Sequence, residues 1–384
     1  MKDKKKIYIH IGPHKTGTTT IQIGLFNNRE VLLRKGILVP TAGDVFPNVC
    51  GNHNLVWELR GDDRFYPSAG LWKDLLQEIT ETKAEKIIIT SEDFAFLNID
   101  QINHVESLLR DFTVSIVTYT RRQDAVLFSI WTQVLKTGKH ENVPISFYHW
   151  LESRNYYHPI ADYANLYRNW AMVFGEENLI IRVLEKTQMR GTLFQDFLFA
   201  CGNINTDKII EPENQNISPG IKTLVLIQEM QKRIKGGLKS RQREEIIKFL
   251  LEFSEKQEWN IKKANLINRD LFNEIITRYG DGNQYIASKY FGRNELFLDT
   301  FQEKELTCFK LEGFHAEELL DLFAFEIEKL FKCKSGIVDW EILESEYLAL
   351  KAELDRIHAS RSWKWLQRLR AVRRKMCIRF KGSK

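Results

Sequence analysis

The chain of 384 residues is 43% hydrophobic and 12% aromatic, enough for a substantial buried core, which excludes a wholly disordered or fibrous protein. Its formal charge of +5 is unevenly distributed: residues 356–384 hold 11 Lys or Arg and no acid, leaving 45 basic against 51 acidic side chains in the first 355 residues. A body with that balance is not a globally basic nucleic-acid binder, so no nucleic-acid partner is expected.

The run Lys2–Lys6 leads into a short apolar segment, Ile7–Ile11, which Gly12 and Pro13 end well before the length of a secretory signal. No stretch approaches the ~20 apolar residues of a membrane span. Cys50, Cys201, Cys308, Cys333 and Cys377 are odd in number and scattered, which implies neither a disulfide framework nor a zinc site. A cytoplasmic protein of a reducing compartment, needing no metal, is the expectation.

Apolar, β-rich runs at Ile7–Ile11, Lys86–Thr90, Val114–Thr120 and Leu179–Leu184 alternate with helical patterns at Thr19–Leu33, Gly70–Glu81, Gln101–Arg110, Ala125–Lys136 and Asp162–Phe174. Nearly continuous apolar strands between helices predict an α/β fold whose parallel sheet is covered on both faces. Beyond Gly220 the pattern turns helical to about Lys332. The expected organisation is therefore one domain over residues 1–333, α/β in 1–200 and mostly helical in 201–333. Lys334-Ser335-Gly336 is a hinge candidate before a helical extension, 337–384.

Within that extension Leu343, Tyr347, Leu350, Leu354 and Ile357 form an a/d stripe of about two heptads. It is expected either to self-associate weakly through 343–357 or to lie against the domain. In the basic tail, Trp365, Leu369, Val372 and Met376 share one helical face. Segment 356–384 is accordingly a candidate for peripheral contact with an anionic membrane surface, at the inner face of the membrane, with a merely solvated tail as the alternative.

The most informative segment is Ile9-His10-Ile11-Gly12-Pro13-His14-Lys15-Thr16-Gly17-Thr18-Thr19-Thr20. A buried strand runs into a tight loop, and the loop opens a helix rich in hydroxyls. Backbone N–H groups at such a helix start, aided by its dipole, bind anions. Gly12 and Gly17 let the backbone approach closely, Lys15 supplies a charge, and Thr16, Thr18 and Thr19 add hydroxyl donors. The nucleotide-triphosphatase pattern G-x-x-x-x-G-K-[ST] starts acceptably at Gly12 and reaches Gly17, but then demands Lys where Thr18 stands.

Lys15-Thr16-Gly17-Thr18-Thr19, directly after the first strand, resembles the 5′-phosphosulfate loop of the sulfotransferases that use 3′-phosphoadenosine 5′-phosphosulfate, most of all their bacterial carbohydrate-type branch. That resemblance implies a P-loop-like three-layer fold. It further implies a 3′-phosphate contact from an Arg at the end of a central strand and a Ser eight residues on. Arg121 and Ser129 match that spacing; Arg122 is the adjacent alternative, and Asp124 is expected to cap the following helix. Trp170, Phe174-Gly175 and Leu184-Glu185-Lys186 resemble the family more loosely, as do Asn283-Gln284, Lys289–Gly292 and Leu296-Phe297.

The activity implied is transfer of a sulfuryl group from that cofactor to a hydroxyl, on a carbohydrate or glycolipid acceptor of a bacterial cell-surface glycan. The resemblance gives Lys15 the role of stabilising the leaving phosphate. Two residues are candidates for the general base, singly or together: Glu92, which follows the strand Lys86–Thr90, and His53, which opens a helix. His14, inside the anion loop, is read as a ligand contact or a structural residue. Two other readings stand beside this one: a nucleotide or small-molecule kinase, and a non-catalytic scaffold in polysaccharide assembly.

Overall fold

The computed structural model describes residues 4–45, 50–137, 147–212, 223–224, 227, 247–253 and 267–301. The extension 337–384, with its heptad stripe and basic tail, lies outside the described residues, as do the hinge candidate and the 333 boundary.

Five strands form one parallel sheet: β1 (Lys6–His10), β2 (Ile37–Leu38), β3 (Lys86–Thr90), β4 (Thr113–Thr120) and β5 (Leu179–Val183), in the order β2-β3-β1-β4-β5. The sequence reading finds four of these. The fifth, β2, has only two residues and is too short to show any periodicity. The first strand is central, with β3 on one side and β4 on the other. Helical segments cross over between successive strands: α1 (Thr18–Asn27), α2 (Arg29–Arg34), α3 (His53–Arg60), α4 (Trp72–Glu81), α5 (Ile99–Leu109), α6 (Gln123–Thr137), α7 (Phe147–Glu152) and α8 (Tyr163–Phe174). After β5 come α9 (Leu193–Ala200) and the helices Arg269–Arg278 and Gly280–Phe291.

The predicted helix Thr19–Leu33 is in fact two, because the Asn28 side chain bonds the Gly24 carbonyl and both backbone groups of Ile210, bending the chain there. Local chemistry sets other boundaries. Asn98 and Thr192 begin α5 and α9 with reciprocal capping boxes to Gln101 and Gln195, and Asp162 caps α8.

Alternation along each strand sorts its side chains into two cores, one per face. Ile7, Ile9, Ile87, Ile89 and Ile116 face α3, α4, α5, α6 and α8. Tyr8, Ile88, Val117 and Tyr119 face α1 and α9, against Ile21, Leu25, Phe194 and Phe197. The result is the three-layer α/β architecture expected. Among the described residues no helix is long and apolar enough to cross a membrane.

The α9 layer is locked to the sheet by a charged knot. Asp196, fully buried, accepts from Tyr119 Oη at 2.8 Å, from Arg182 Nε at 2.9 Å and from the Arg190 amide at 2.7 Å; Arg182 Nη2 adds a further bond. The carboxylate beside it raises the affinity of the Arg182 guanidinium for its proton, and burial together with Asp196 pushes the Tyr119 phenol well up. Removing one member of such a set strands the others in the interior. Asp196→Ala is therefore expected to lower unfolding free energy by on the order of 3 kcal/mol, measured by urea denaturation, with a smaller loss for Asp196→Asn.

Candidate functional site

The loop after β1 lies where the strand order diverges, between the carboxyl ends of β3 and β4, and this is where open α/β sheets bind ligands. The register sharpens the position. His10 is level with Thr90 of β3 and Val117 of β4, but β4 continues to Thr120. The chain after β1 stays bonded to that longer strand: Ile11 N–H donates to the Val117 carbonyl at 3.1 Å. The Gly12 carbonyl accepts from Tyr119 N–H at 3.1 Å and from Thr118 Oγ1 at 2.9 Å. On the other flank a Cβ on Gly12 (φ 80°) would stand 2.9 Å from Glu92 Cβ. Only glycine fits between β4 and the turn after β3.

The loop closes at Gly17, in the left-handed region at φ 87°, which begins α1 without any side-chain cap. The first turn of α1 contains no acidic residue, so its amides and dipole are left uncompensated. Lys15 also has a left-handed backbone, φ 69°. The Thr16 hydroxyl is turned inward, donating to the Pro13 carbonyl at 2.6 Å, so Thr16 faces the crevice only through its backbone. Thr18 is buried and Thr19 is exposed.

Arg121 leaves the end of β4 and is fixed against the loop. Its guanidinium donates to the Lys15 carbonyl at 3.0 Å, its amide to Tyr163 Oη at 3.2 Å, and Tyr163 Oη donates back to its carbonyl at 2.7 Å. Arg122 is held elsewhere, by Asp124 at 2.8 Å and the Asp299 carbonyl at 2.9 Å. Asp124 does not cap α6 as the sequence reading expects: it sits inside the first turn and pairs with Arg122.

Two turns into α6 is Ser129, and one turn later Gln133, whose Oε1 accepts from Lys15 Nζ at 3.3 Å. Residues four apart share a helix face, which puts Ser129 on the face that meets the loop. Lys136 belongs to this face as well, since its ammonium is repelled by that of Lys15.

The electrostatics of the crevice are unbalanced. Burial lowers the Lys15 ammonium from its usual range; the Glu92 charge counters this and that of Arg121 adds to it. Burial likewise lowers Arg121. Among the described residues neither cation forms an ion pair. Two partly desolvated cations beside an uncapped helix start offer the charge and donors that an anion would satisfy.

Across the loop, the Glu92–Phe96 turn after β3 collects four ionisable groups. Glu92 Oε2 accepts from Gln22 Nε2 at 2.5 Å and lies 3.8 Å from His53 Nε2. Asn52 delivers His53 by pairing with Thr90 as a strand would, its amide on the Thr90 carbonyl at 2.7 Å and its Oδ1 on the Thr90 amide at 3.0 Å. Both His53 nitrogens are engaged: Nε2 with the Cys50 carbonyl at 3.1 Å, and Nδ1 with Ser91 Oγ at 2.9 Å. A nitrogen facing a carbonyl must carry the proton, which leaves Nδ1 to accept from Ser91. Asp93 accepts from Trp57 Nε1 at 2.6 Å and stands 3.1 Å from His14 Nε2. Burial raises Asp93, but the His14 and Trp57 hydrogen bonds and the two nearby imidazoles outweigh it and hold the group at about 2.

The structure thus brings Gly12, Lys15, Gly17, Thr18, Arg121, Glu92 and His53 to one sheet edge. Gln22, Gln133 and Lys136 are absent from the sequence reading. Each falls on a helix face already marked by a chosen residue, Gln22 four after Thr18 and Gln133 four after Ser129, so helical spacing could have found the two glutamines.

No protein-family model matches the chain. An uncharacterized protein of Archaeoglobus fulgidus is 24% identical over 243 residues, which is 61% of this chain, and the chain spans 61% of that relative's length. Among solved structures, a sulfotransferase from Alicyclobacillus acidocaldarius matches at 16% identity and a TM-score of 0.35, over 63% of this chain and 95% of that one.

An anion should stabilise the protein through Lys15. Inorganic sulfate is expected to raise the melting temperature of the wild type but not of Lys15→Met. Without sulfate the variant should melt no lower than the wild type, since it removes a desolvated charge. Because burial lowers the folded value of Lys15, that penalty is full at neutral pH and is relieved as pH rises through the folded value toward 10.5. Thermal scans at several pH values measure both effects.

Proposed function

We propose that the protein transfers a sulfuryl group from 3′-phosphoadenosine 5′-phosphosulfate to a hydroxyl, with a carbohydrate as acceptor. The observation that carries this reading is the pair of desolvated cations, Lys15 and Arg121, neither in an ion pair among the described residues, around the uncapped start of α1. The residues present fit a ligand with phosphate at both ends. The Gly12–Thr19 cradle takes the 5′ end, where a Cβ on Gly12 would collide with the turn after β3. Arg121, just beyond β4, and Ser129, on α6, take the 3′-phosphate.

The donor supplies an activated sulfuryl group; this chain supplies position and charge. Lys15 stabilises negative charge building on the leaving phosphate oxygen, and the α1 amides share that task. Gln133 steadies the Lys15 ammonium. Removal of the acceptor's proton falls to the cluster at Glu92. Within it Glu92 Oε1 has no hydrogen bond among the described residues, whereas His53 is only 4% exposed at its side chain and has both nitrogens bonded. His53 therefore orients the turn while Glu92 faces the acceptor. The carbohydrate class of acceptor rests on the loop's likeness to the bacterial branch of the sulfotransferases.

The test combines binding and turnover. Calorimetry with adenosine 3′,5′-bisphosphate is expected to show binding that Arg121→Ala weakens by about 10- to 100-fold, the loss of a charged hydrogen bond. With radiolabelled donor and candidate glycans, Lys15→Ala should lower kcat by about 10²- to 10³-fold. A wild type that binds no bisphosphate would sink the proposal before any acceptor is tried.

A further inference from the structure

His14 stands in the loop between Pro13 and Lys15. Its ring packs on Phe96 with centroids 4.9 Å apart and planes inclined by 35°, which fixes its orientation. Nε2 meets Asp93 Oδ1 at 3.1 Å. Asp93 is buried and its other oxygen accepts from Trp57 Nε1, so it is an ionised acceptor, and Nε2 must be the nitrogen that carries the proton. The second nitrogen, Nδ1, is then left with a free lone pair. It lies 4.0 Å from Glu92 Oε1, too far for a hydrogen bond but close enough to feel that carboxylate's charge.

Accessibility separates the three candidates. The side chain of His14 is 27% exposed, that of Glu92 15% and that of His53 4%. An imidazole whose far nitrogen is anchored by a buried carboxylate, and whose near nitrogen has no hydrogen bond among the described residues, has the arrangement of a general base with its orienting acid.

We propose that His14 is a catalytic residue that takes the acceptor's proton on Nδ1, with Asp93 as its positioning residue. This rests on the sulfuryl-transfer reading. As the acceptor oxygen bonds to sulfur, its O–H bond breaks and the proton goes to Nδ1. The bond from sulfur to the donor's phosphate oxygen breaks with its electron pair on that oxygen. The imidazolium so formed stands between Asp93 and Glu92, which stabilise it. The other charged or titratable groups around it are Lys15 in the loop, His53 in α3, Arg64 at 3.5 Å from Asp93, and Arg60 over the Phe96 ring. Glu92 in this scheme acts by its charge and by orienting the acceptor.

Three measurements on the full chain test the assignment. In nitrogen-15 spectra the wild-type His14 should carry its proton on Nε2, and Asp93→Asn should move it to Nδ1, because the amide can donate to Nε2. His14→Ala and Asp93→Asn should each lower kcat by about 100-fold or more, while adenosine 3′,5′-bisphosphate binds as to the wild type. Added imidazole should restore activity to His14→Ala and not to Glu92→Ala. Wild-type kcat in His14→Ala, or a loss that imidazole leaves untouched, overturns the assignment. Failure of the wild type to bind bisphosphate instead overturns the sulfuryl-transfer reading, and the tautomer still decides whether Asp93 orders His14.

Discussion

The site depends on β4 being longer than β1. Where β1 stops, β4 still offers backbone and side-chain donors, and the Gly12 carbonyl takes two of them, from Tyr119 and Thr118. Those bonds turn the loop across the sheet edge and bring its Lys15 carbonyl within reach of Arg121, the first residue beyond the strand. The two cations are held together by backbone geometry, against their mutual repulsion.

Two charge environments meet across Gly12. On the β4 side are Lys15, Arg121 and the start of α1; on the β3 side are Glu92, Asp93, His14 and His53. A glycine is required between them because a single Cβ would strike the turn that carries Glu92. The proposed sulfuryl transfer would use such a pairing, with positive charge where the phosphate leaves and basic atoms where the acceptor arrives. Each half is tied to the core by a buried neutral group, Tyr163 for Arg121 and Trp57 for Asp93, so the charges sit on rigid supports.

Much of this was legible in the sequence. The strands β1, β3, β4 and β5 are short, mostly apolar runs, and they stand out because a strand covered on both faces lacks a regular polar alternation. The motif from Gly12 to Thr19 is contiguous, so its chemistry could be read without a fold. Arg121 and Ser129 were singled out by the resemblance, whose Arg and Ser eight residues apart they match. Less legible were the break at Asn28, made by a side chain reaching residue 210, and β2, too short for a pattern. The expected helix cap also fails: Asp124 lies inside the first turn of α6 and pairs with Arg122, two residues before it.

The sequence by itself determined the class of fold and marked one loop as a candidate anion site, since both arise from local periodicity and contiguous residues. Only the tertiary structure decided which basic group stands open beside that loop. The sequence reading names Glu92 and His53 as base candidates and His14 as a ligand contact or structural residue, on segments whose spacing does not relate them. Folding buries His53 between Ser91 and Cys50, ties one Glu92 oxygen to Gln22, and turns His14 so that Asp93 holds one nitrogen and leaves the other free. Apart from the local Cys50 contact, those distinctions come from contacts between residues 38 to 79 positions apart, which no local pattern records.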